Sequence, residues 1–339
     1  MNQSQDDVTR HYLAAIENEL QDAVKPAIEI ENTHLYDMLA YHMGWVGNRN
    51  NTESHGKRIR PLLVLLTCSA AGGNWKNSLP AAAAVELVHN FSLIHDDIED
   101  GSAIRRGRAT IWKNWDIPQA INAGDAMFTL AHLHLLRLSE HISHSVSLEA
   151  IRILQQACLH LTQGQYLDIS YEKLSDVSID NYWLMVEGKT AALISASTEL
   201  GALTAFCDEQ TRQAYRNFGR LLGLAFQAQD DLLGIWGNSG LTGKSNQSDL
   251  IARKKTLPVL YGLSRSKKFT ERWNQGSFSP HELNQMIEFL ETDGVKAYTL
   301  SMIDKLIEQS LGELDQAHPT GVSSQVLINL ALNLINRQV

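Results

Sequence analysis

Apolar residues recur along this chain at intervals of three and four, the repeat of a helix face. The period-two alternation of a half-buried strand is hard to find anywhere. A chain patterned this way has one route to a core, helices packed on helices. A first helix is expected to about Val24, capped by Asp6 or Thr9, and a second from about Thr33 to Met43. Gly44 to Gly56 is polar and reads as a loop. An apolar helix follows from Lys57 to about Ala71, closed by Gly72-Gly73. Pro80 suits the first turn of the next one, which runs to Asp97. Further helices are expected over 117–139, 147–173, 178–205 and 209–235, with the last beginning near Val322. Gly237 to Lys255 is polar and glycine-containing and reads as a lid or connector.

No Pro- or Ser-rich linker divides the 339 residues, so a single domain over 1–339 is expected. A net charge of −9 without a long basic run argues against a nucleic-acid partner. An acidic protein that takes an anionic substrate must gather its few cations locally or recruit metal ions. Cys68, Cys158 and Cys207 are scattered through apolar stretches and read as core residues of a reducing compartment. The polar, acidic N-terminus is unlike a signal peptide, and no run of about eighteen apolar residues would cross a bilayer. A cytoplasmic location is expected.

The sharpest local signal is His95-Asp96-Asp97-Ile98-Glu99-Asp100, closing an otherwise apolar helix. Asp96 and Asp100 are four apart, so they project from one face about 6 Å apart. Carboxylates at a helix C-terminus are disfavoured by the macrodipole and by each other unless a cation intervenes. Magnesium fits, since it takes one or two carboxylates and completes its shell with water and phosphate oxygens. Taken alone, the cluster reads equally well as a solvated helix end. A second pair, Asp230-Asp231, closes another apolar helix, and two such coincidences are improbable.

The anion side is as specific. Gly56-Lys57-Arg58-Ile59-Arg60-Pro61 puts Lys57 and Arg60 three apart at a helix start, where backbone N–H groups also favour an anion. Arg105-Arg106-Gly107 follows the first acidic motif by five residues, and arginine suits bidentate phosphate contacts. His89 stands two turns before Asp96 on the same face; by itself it reads as a core histidine. Gly188 interrupts a helical stretch, and a local kink there could aim Lys189 inward.

Residues 56–61, 86–108, 187–190, 226–237 and 243–258 together resemble, in order and spacing, the signature regions of the trans-prenyltransferases, the polyprenyl synthetase family. The resemblance spans roughly residues 10–335. It implies an all-α bundle of the isoprenoid synthase type with a deep central cavity. The implied reaction is condensation of an allylic diphosphate (dimethylallyl, geranyl or farnesyl) with isopentenyl diphosphate, releasing diphosphate. By this resemblance Lys57, Arg60, His89 and Arg106 hold the isopentenyl diphosphate. Asp96 and Asp100 ligate magnesium, and Asp230 ligates a third ion. Arg105, Lys189, Thr190, Gln227 and Lys244 meet the allylic substrate, and Asp231 and Lys254 join the substrate-binding set. The resemblance also implies a homodimer, and it makes the departing diphosphate the acceptor of the proton lost.

Phe91 lies five residues before Asp96, about 7.5 Å along the axis, with Ser92 at four and Val88 at eight. An aromatic at five and a small residue at four resembles geranylgeranyl synthases. A twenty-carbon product is expected, with farnesyl and geranylfarnesyl diphosphate as alternatives. Gly234 departs from the family, which commonly has an aspartate there, and this puts support of the third metal in doubt. Two rivals remain. A terpene cyclase would need an Asn…Ser…Glu metal motif, which is missing. A non-catalytic partner subunit of a heteromeric synthase usually lacks an acidic motif or the arginines.

Overall fold

The computed structural model describes residues 3–28, 34–46, 56–237 and 248–335. Helices build nearly all of it: α1 (Gln3–Val24), α2 (Leu35–His42), α3 (Ile59–Ala70) and α4 (Leu79–Glu99) come first. A two-residue-per-strand hairpin follows, β1 (Ile104–Arg105) with β2 (Arg108–Ala109). Then come α5 (Ile111–Trp115), α6 (Ile117–Leu135), α7 (His144–Lys173), α8 (Ile179–Val186), α9 (Ala192–Thr204) and α10 (Glu209–Trp236). The chain continues through α11 (Ser248–Ile251), α12 (Leu257–Arg265), α13 (Lys267–Trp273), α14 (Pro280–Thr292), α15 (Val295–Gln316) and α16 (Gly321–Ile335). The all-helical class expected from the periodicity is the class observed.

Two compact units make up the chain. The first comprises Met1–Gln156, Ala196–Gln213 and Ala317–Leu327; the second comprises Ala157–Ser195, Ala214–Gln316 and Ile328–Val339. In the first unit, α4 is the central element. Its residues from Ala81 to Val85 are fully buried, and it packs along α6, whose buried positions Ala120, Ala123, Gly124 and Ala131 are equally small. Small facing side chains let the two backbones approach closely, and at Gly124 even a methyl group would meet the His95 ring at 2.2 Å. In the second unit, Ile235, Leu250, Val259, Phe269, Trp273 and Leu290 form one apolar cluster.

Local signals mark several helix ends. Pro80 sits in the first turn of α4 and Gly101, at φ +62°, follows its end. Ser178 and Asn181 form a reciprocal capping box for α8, and Ser279 and Glu282 do so for α14. Two expectations need correction. Asp6 and Thr9 cap nothing, because α1 already runs from Gln3 and places both inside the helix. Lys57 is not on the first turn of α3: the helix starts at Ile59, and Arg58 before it has φ +48°, a left-handed backbone that turns Lys57 off the helix face. The expected lid over 237–255 falls largely on 238–247, outside the described residues, as does most of the loop over 44–56.

Candidate active site

The first unit holds the residues expected to bind an anion. Arg60, in the first turn of α3, donates from Nη1 to His89 Nε2 on α4 at 3.3 Å. That nitrogen must therefore carry no proton, so the ring is neutral with its hydrogen on Nδ1. Burial holds the His89 pKa well below its usual value, and the charges of Arg60, Arg106 and Arg105 push the same way. Burial likewise lowers the pKa of Arg60 and of Arg106. Arg106 lies over Gly56, where a Cβ would come 2.7 Å from its guanidinium. Lys57 is exposed beside this group.

Arg58, from the same sequence motif, has a different task. It is 5% exposed and bonds Glu86 (2% exposed) at 2.9 Å, Glu17 at 3.3 Å and the Met43 carbonyl at 3.2 Å. Glu86 is held in turn by Asn90 Nδ2 at 3.0 Å. This buried network ties α1, α2, α3 and α4 together and takes up Glu86 with Arg58. The sequence motif alone does not separate this structural arginine from Lys57 and Arg60 beside it.

The acidic end of α4 divides similarly. Asp97 is 2% exposed and accepts Arg105 Nε at 2.8 Å, whereas Asp96 is half-buried and Asp100 is exposed. Burial raises the Asp97 pKa, and the Arg105 charge and hydrogen bond oppose that rise. Arg105 and Arg106 are presented by the hairpin, whose two turn residues, Arg106 (φ +51°) and Gly107 (φ +72°), are both left-handed. Positive φ at both positions is what the tightest hairpin turn requires, and it suits the twist of the flanking strands. A small pocket opens here between Tyr41, His42, Asp97, Arg105, Arg106 and Arg108. His42 carries no motif in the sequence and joins the pocket only through the fold. Burial and the four surrounding arginines, Arg106 first, hold its pKa well below the usual value.

Phe91 stands in a row of rings. Its centroid is 5.0 Å from His95 and 5.0 Å from Phe128 on α6, which is itself 4.4 Å from His132. Ser92 donates to the His89 carbonyl at 2.8 Å, and Val88 is fully buried.

In the second unit, α8 passes into a π-helical turn, Glu187–Ala191, before α9. Gly188 permits it: a Cβ there would meet the His160 carbonyl at 2.6 Å and the Gly164 backbone at 2.9 Å. The helical interruption expected at Gly188 is thus an inserted residue packed backbone to backbone on α7. Lys189, within the turn, forms an ion pair with Asp168 of α7, a partner with no signal in the sequence. Thr190 donates its hydroxyl proton to Gln227 Oε1 at 2.8 Å. Gln227 Nε2 donates to Asp231 Oδ1 at 2.9 Å; Tyr182 Oη and the Leu257 backbone N–H donate to Asp231 Oδ2 at 2.7 and 3.0 Å. Asp231 is 3% exposed, and burial pushes its pKa up to about 7 against the pull of those three donors. Asp230, its neighbour on α10, is half-buried.

Lys254 is exposed, while Lys255 is spent on the carbonyls of Tyr171, Glu172 and Leu174 at the end of α7. Lys244 lies outside the described residues. Among the described residues, no three or more His, Cys, Asp or Glu side chains group into a cage for a metal. The donor set at the end of α4, two carboxylates one turn apart, fits a hard cation that takes only one or two protein ligands. No helix among the described residues is long and apolar enough to cross a membrane.

In the first unit an acid-terminated helix, α4, stands with partly desolvated arginines, whereas Asp230 and Asp231 do not close their helix, since α10 runs on to Trp236. The first arrangement suits an anionic, diphosphate-type ligand, and comparison with known proteins agrees. The polyprenyl synthetase family model matches residues 48–290. A (2E,6E)-farnesyl diphosphate synthase of Mycobacterium tuberculosis is 38% identical over 316 residues, 90% of this chain and 87% of that protein. A geranylgeranyl diphosphate synthase of the same organism is 46% identical over 248 residues, covering 72% and 70% of the two chains. The crystal structure of a polyprenyl synthetase from Streptomyces coelicolor superposes with a TM-score of 0.87 at 35% identity, over 96% of this chain and 98% of that one. The chain belongs to the polyprenyl synthetase family and is a trans-prenyl diphosphate synthase.

Proposed function

We propose that the chain, acting as one domain over 1–339, elongates an allylic diphosphate with isopentenyl diphosphate and makes the twenty-carbon geranylgeranyl diphosphate. The observation that carries the reading is the cluster of Arg60, Arg106 and neutral His89. Both guanidiniums are half-buried and partly desolvated, and the carboxylate whose charge acts on them, Glu86, is already hydrogen-bonded to Arg58. Half-buried cations that outnumber the carboxylate beside them call for a further anion.

Lys57, Arg60, His89 and Arg106 bind the isopentenyl diphosphate in this reading. Arg105, Lys189 and Lys244 orient the allylic diphosphate and balance the charge that grows on it as its carbon–oxygen bond breaks. Asp96 and Asp100, and separately Asp230, would hold magnesium, which supplies neutralisation of the leaving diphosphate when bound. Thr190 and Gln227 turn oxygens towards the allylic cation. The isopentenyl double bond attacks, and the proton lost passes to the released diphosphate. Asp231 and Lys254 complete the set carried over by family likeness. The enzyme is read as a cytoplasmic homodimer.

Phe91 supports the product length, since its ring is fixed by His95 and Phe128 five residues before Asp96. The test is purified protein with magnesium, labelled isopentenyl diphosphate and each of the three short allylic starters. A twenty-carbon product is expected, and Phe91→Ala should lengthen it by at least one five-carbon unit. A fifteen-carbon product, or an unchanged product from the variant, removes the chain-length assignment. Absence of turnover by the purified chain removes the catalytic one and favours a partner subunit.

A further inference from the structure

The second acidic motif contains two aspartates that the fold treats differently. Asp230 is half-buried, whereas the carboxylate of Asp231 is closed in and receives three donors. We propose that Asp231 is a positioning residue which, through Gln227, fixes the direction in which the hydroxyl of Thr190 points. This rests on the reading of Thr190 and Gln227 as the groups that face the allylic cation, and it deepens that reading.

Hydrogen bonds run in one direction along a chain of three side chains. Gln227 donates from Nε2 to Asp231 Oδ1, so the end of Gln227 that meets the carboxyl is its NH2 group. The carbonyl end then faces Thr190, and it can only accept. Thr190 has a single proton, and that proton goes to Gln227 Oε1. Any other neighbour of the Thr190 oxygen meets lone pairs, the negative end of the hydroxyl dipole. A cation beside it is stabilised by a dipole already aligned before the reaction, with no reorganisation at the moment of ionisation.

Asp231 is itself held in register from two sides. Tyr182 of α8 and the Leu257 N–H at the start of α12 both reach Oδ2, leaving Oδ1 for Gln227. The backbone donor decides what a substitution does. In Asp231→Asn the side-chain oxygen must stay with Leu257 N–H, which has no freedom to turn away. The new NH2 then replaces Oδ1 and confronts the NH2 of Gln227. Gln227 has to flip, giving its oxygen to Asn and its NH2 to Thr190. Thr190 becomes an acceptor, its proton is released to point elsewhere, and the dipole facing the cation reverses.

The reversal can be undone without restoring the aspartate. With glutamate at 227, one oxygen accepts from the Asn NH2 and the other accepts from the Thr190 hydroxyl, so the original direction returns. Gln227→Glu alone should fail, because it sets two carboxylates against each other. The expected pattern is a kcat lowered about 10–100-fold in Asp231→Asn, with KM for isopentenyl diphosphate unchanged. Gln227→Glu should also be impaired, and the double variant Asp231→Asn/Gln227→Glu should recover at least tenfold over Asp231→Asn. Tyr182→Phe keeps both remaining donors on Asp231 and should lower the unfolding midpoint while leaving kcat within about threefold.

A purely structural role for Asp231 predicts something else: a lower unfolding midpoint, an unchanged kcat in the folded fraction, and a double variant worse than either single one. That result overturns the proposal. A readout independent of turnover separates it from the functional reading. Thr190→Val and Asp231→Asn alter side chains that share only Gln227, yet their effects on the urea midpoint should be non-additive. Additive midpoints sink the relay whether or not the enzyme is active; non-additive midpoints in a chain without turnover keep the relay and sink the catalytic reading.

Discussion

The carboxylate of Asp249 occupies the space in which a side chain at Gly234 would begin: a Cβ there would lie 2.0 Å from Oδ2 and 2.6 Å from Cγ. Gly234 stands one turn beyond Asp230 on α10, at the position where the family commonly carries an aspartate. A side chain at this position fits only if the Asp249 carboxylate moves, so Gly234 and the acidic residue of α11 are matched to each other in this structure.

Restoring the aspartate should harm the protein. Gly234→Asp forces two carboxylates into one space, and overpacking of this kind costs about 1–3 kcal/mol, with charge repulsion added. Its unfolding midpoint should fall, and activity should need more magnesium than the wild type. Asp249→Gly in the same chain clears the collision and should recover both. A Gly234→Asp variant as stable as the wild type would show that Asp249 swings aside freely.

Asp97 and Arg105 offer a second test. The carboxylate in the middle of the first acidic motif holds an arginine at 2.8 Å, so its removal frees that guanidinium and strands the pocket wall it forms. Asp97→Ala should cost about 1–3 kcal/mol of stability. It should raise KM for the allylic diphosphate more than KM for isopentenyl diphosphate. Equal changes in the two constants would place Arg105 between the substrates rather than with one.

What could be read from the residues alone follows a physical divide. Helices are legible because their apolar repeat and Pro80 are local signals. The acidic and basic motifs were legible because chemistry dictates residue type. Partners set by packing were not. Arg58 looks like Lys57 and Arg60 until its pairing with Glu86 is seen, and Asp97 looks like Asp96 until Arg105 is found on it. His42 and Asp168 sit in unremarkable segments and acquire their neighbours only through tertiary contacts. The hairpin at Arg105–Arg108 escaped because two-residue strands carry no periodicity. Its one signal was Gly107 in the turn after Arg106.

The approach of α7 to the π-helical turn is tight enough to test by adding one carbon. A Cβ on Gly164 would lie 2.0 Å from the Lys189 backbone nitrogen, and backbone cannot swing aside. Gly164→Ala should therefore push the turn away from α7, break the Lys189–Asp168 ion pair and lower kcat together with the unfolding midpoint. Gly312, where a Cβ meets nothing within 4 Å, is the matched control, and Gly312→Ala should be neutral or slightly stabilising. If both alanines behave alike, the packing at the π turn is not what places Lys189.

Two buried histidines fix the sign of the acid response. His42 and His89 have folded-state pKa values held below the ordinary 6.5, by burial first and by the surrounding arginines next. Below about pH 6.5 the unfolded chain takes up protons at these rings and the folded chain does not, so stability falls as pH falls. Their contribution is whole above 6.5 and is lost progressively beneath it. Asp231 acts in the opposite sense. Its pKa is raised from 3.8 to about 7, so between those values the folded chain holds the extra proton. Its contribution is complete below 3.8 and lost as pH rises through about 7. The two effects overlap between pH 6.5 and 5 and offset each other. His89→Gln keeps an acceptor for Arg60 and should flatten the histidine side of the profile by one proton. Asp231→Asn removes the opposing slope and should make stability fall more steeply on acidification. Urea midpoints measured at half-unit steps from pH 5 to 8 check both. An unchanged acid limb in Asp231→Asn would mean that its carboxyl is ionised throughout this range.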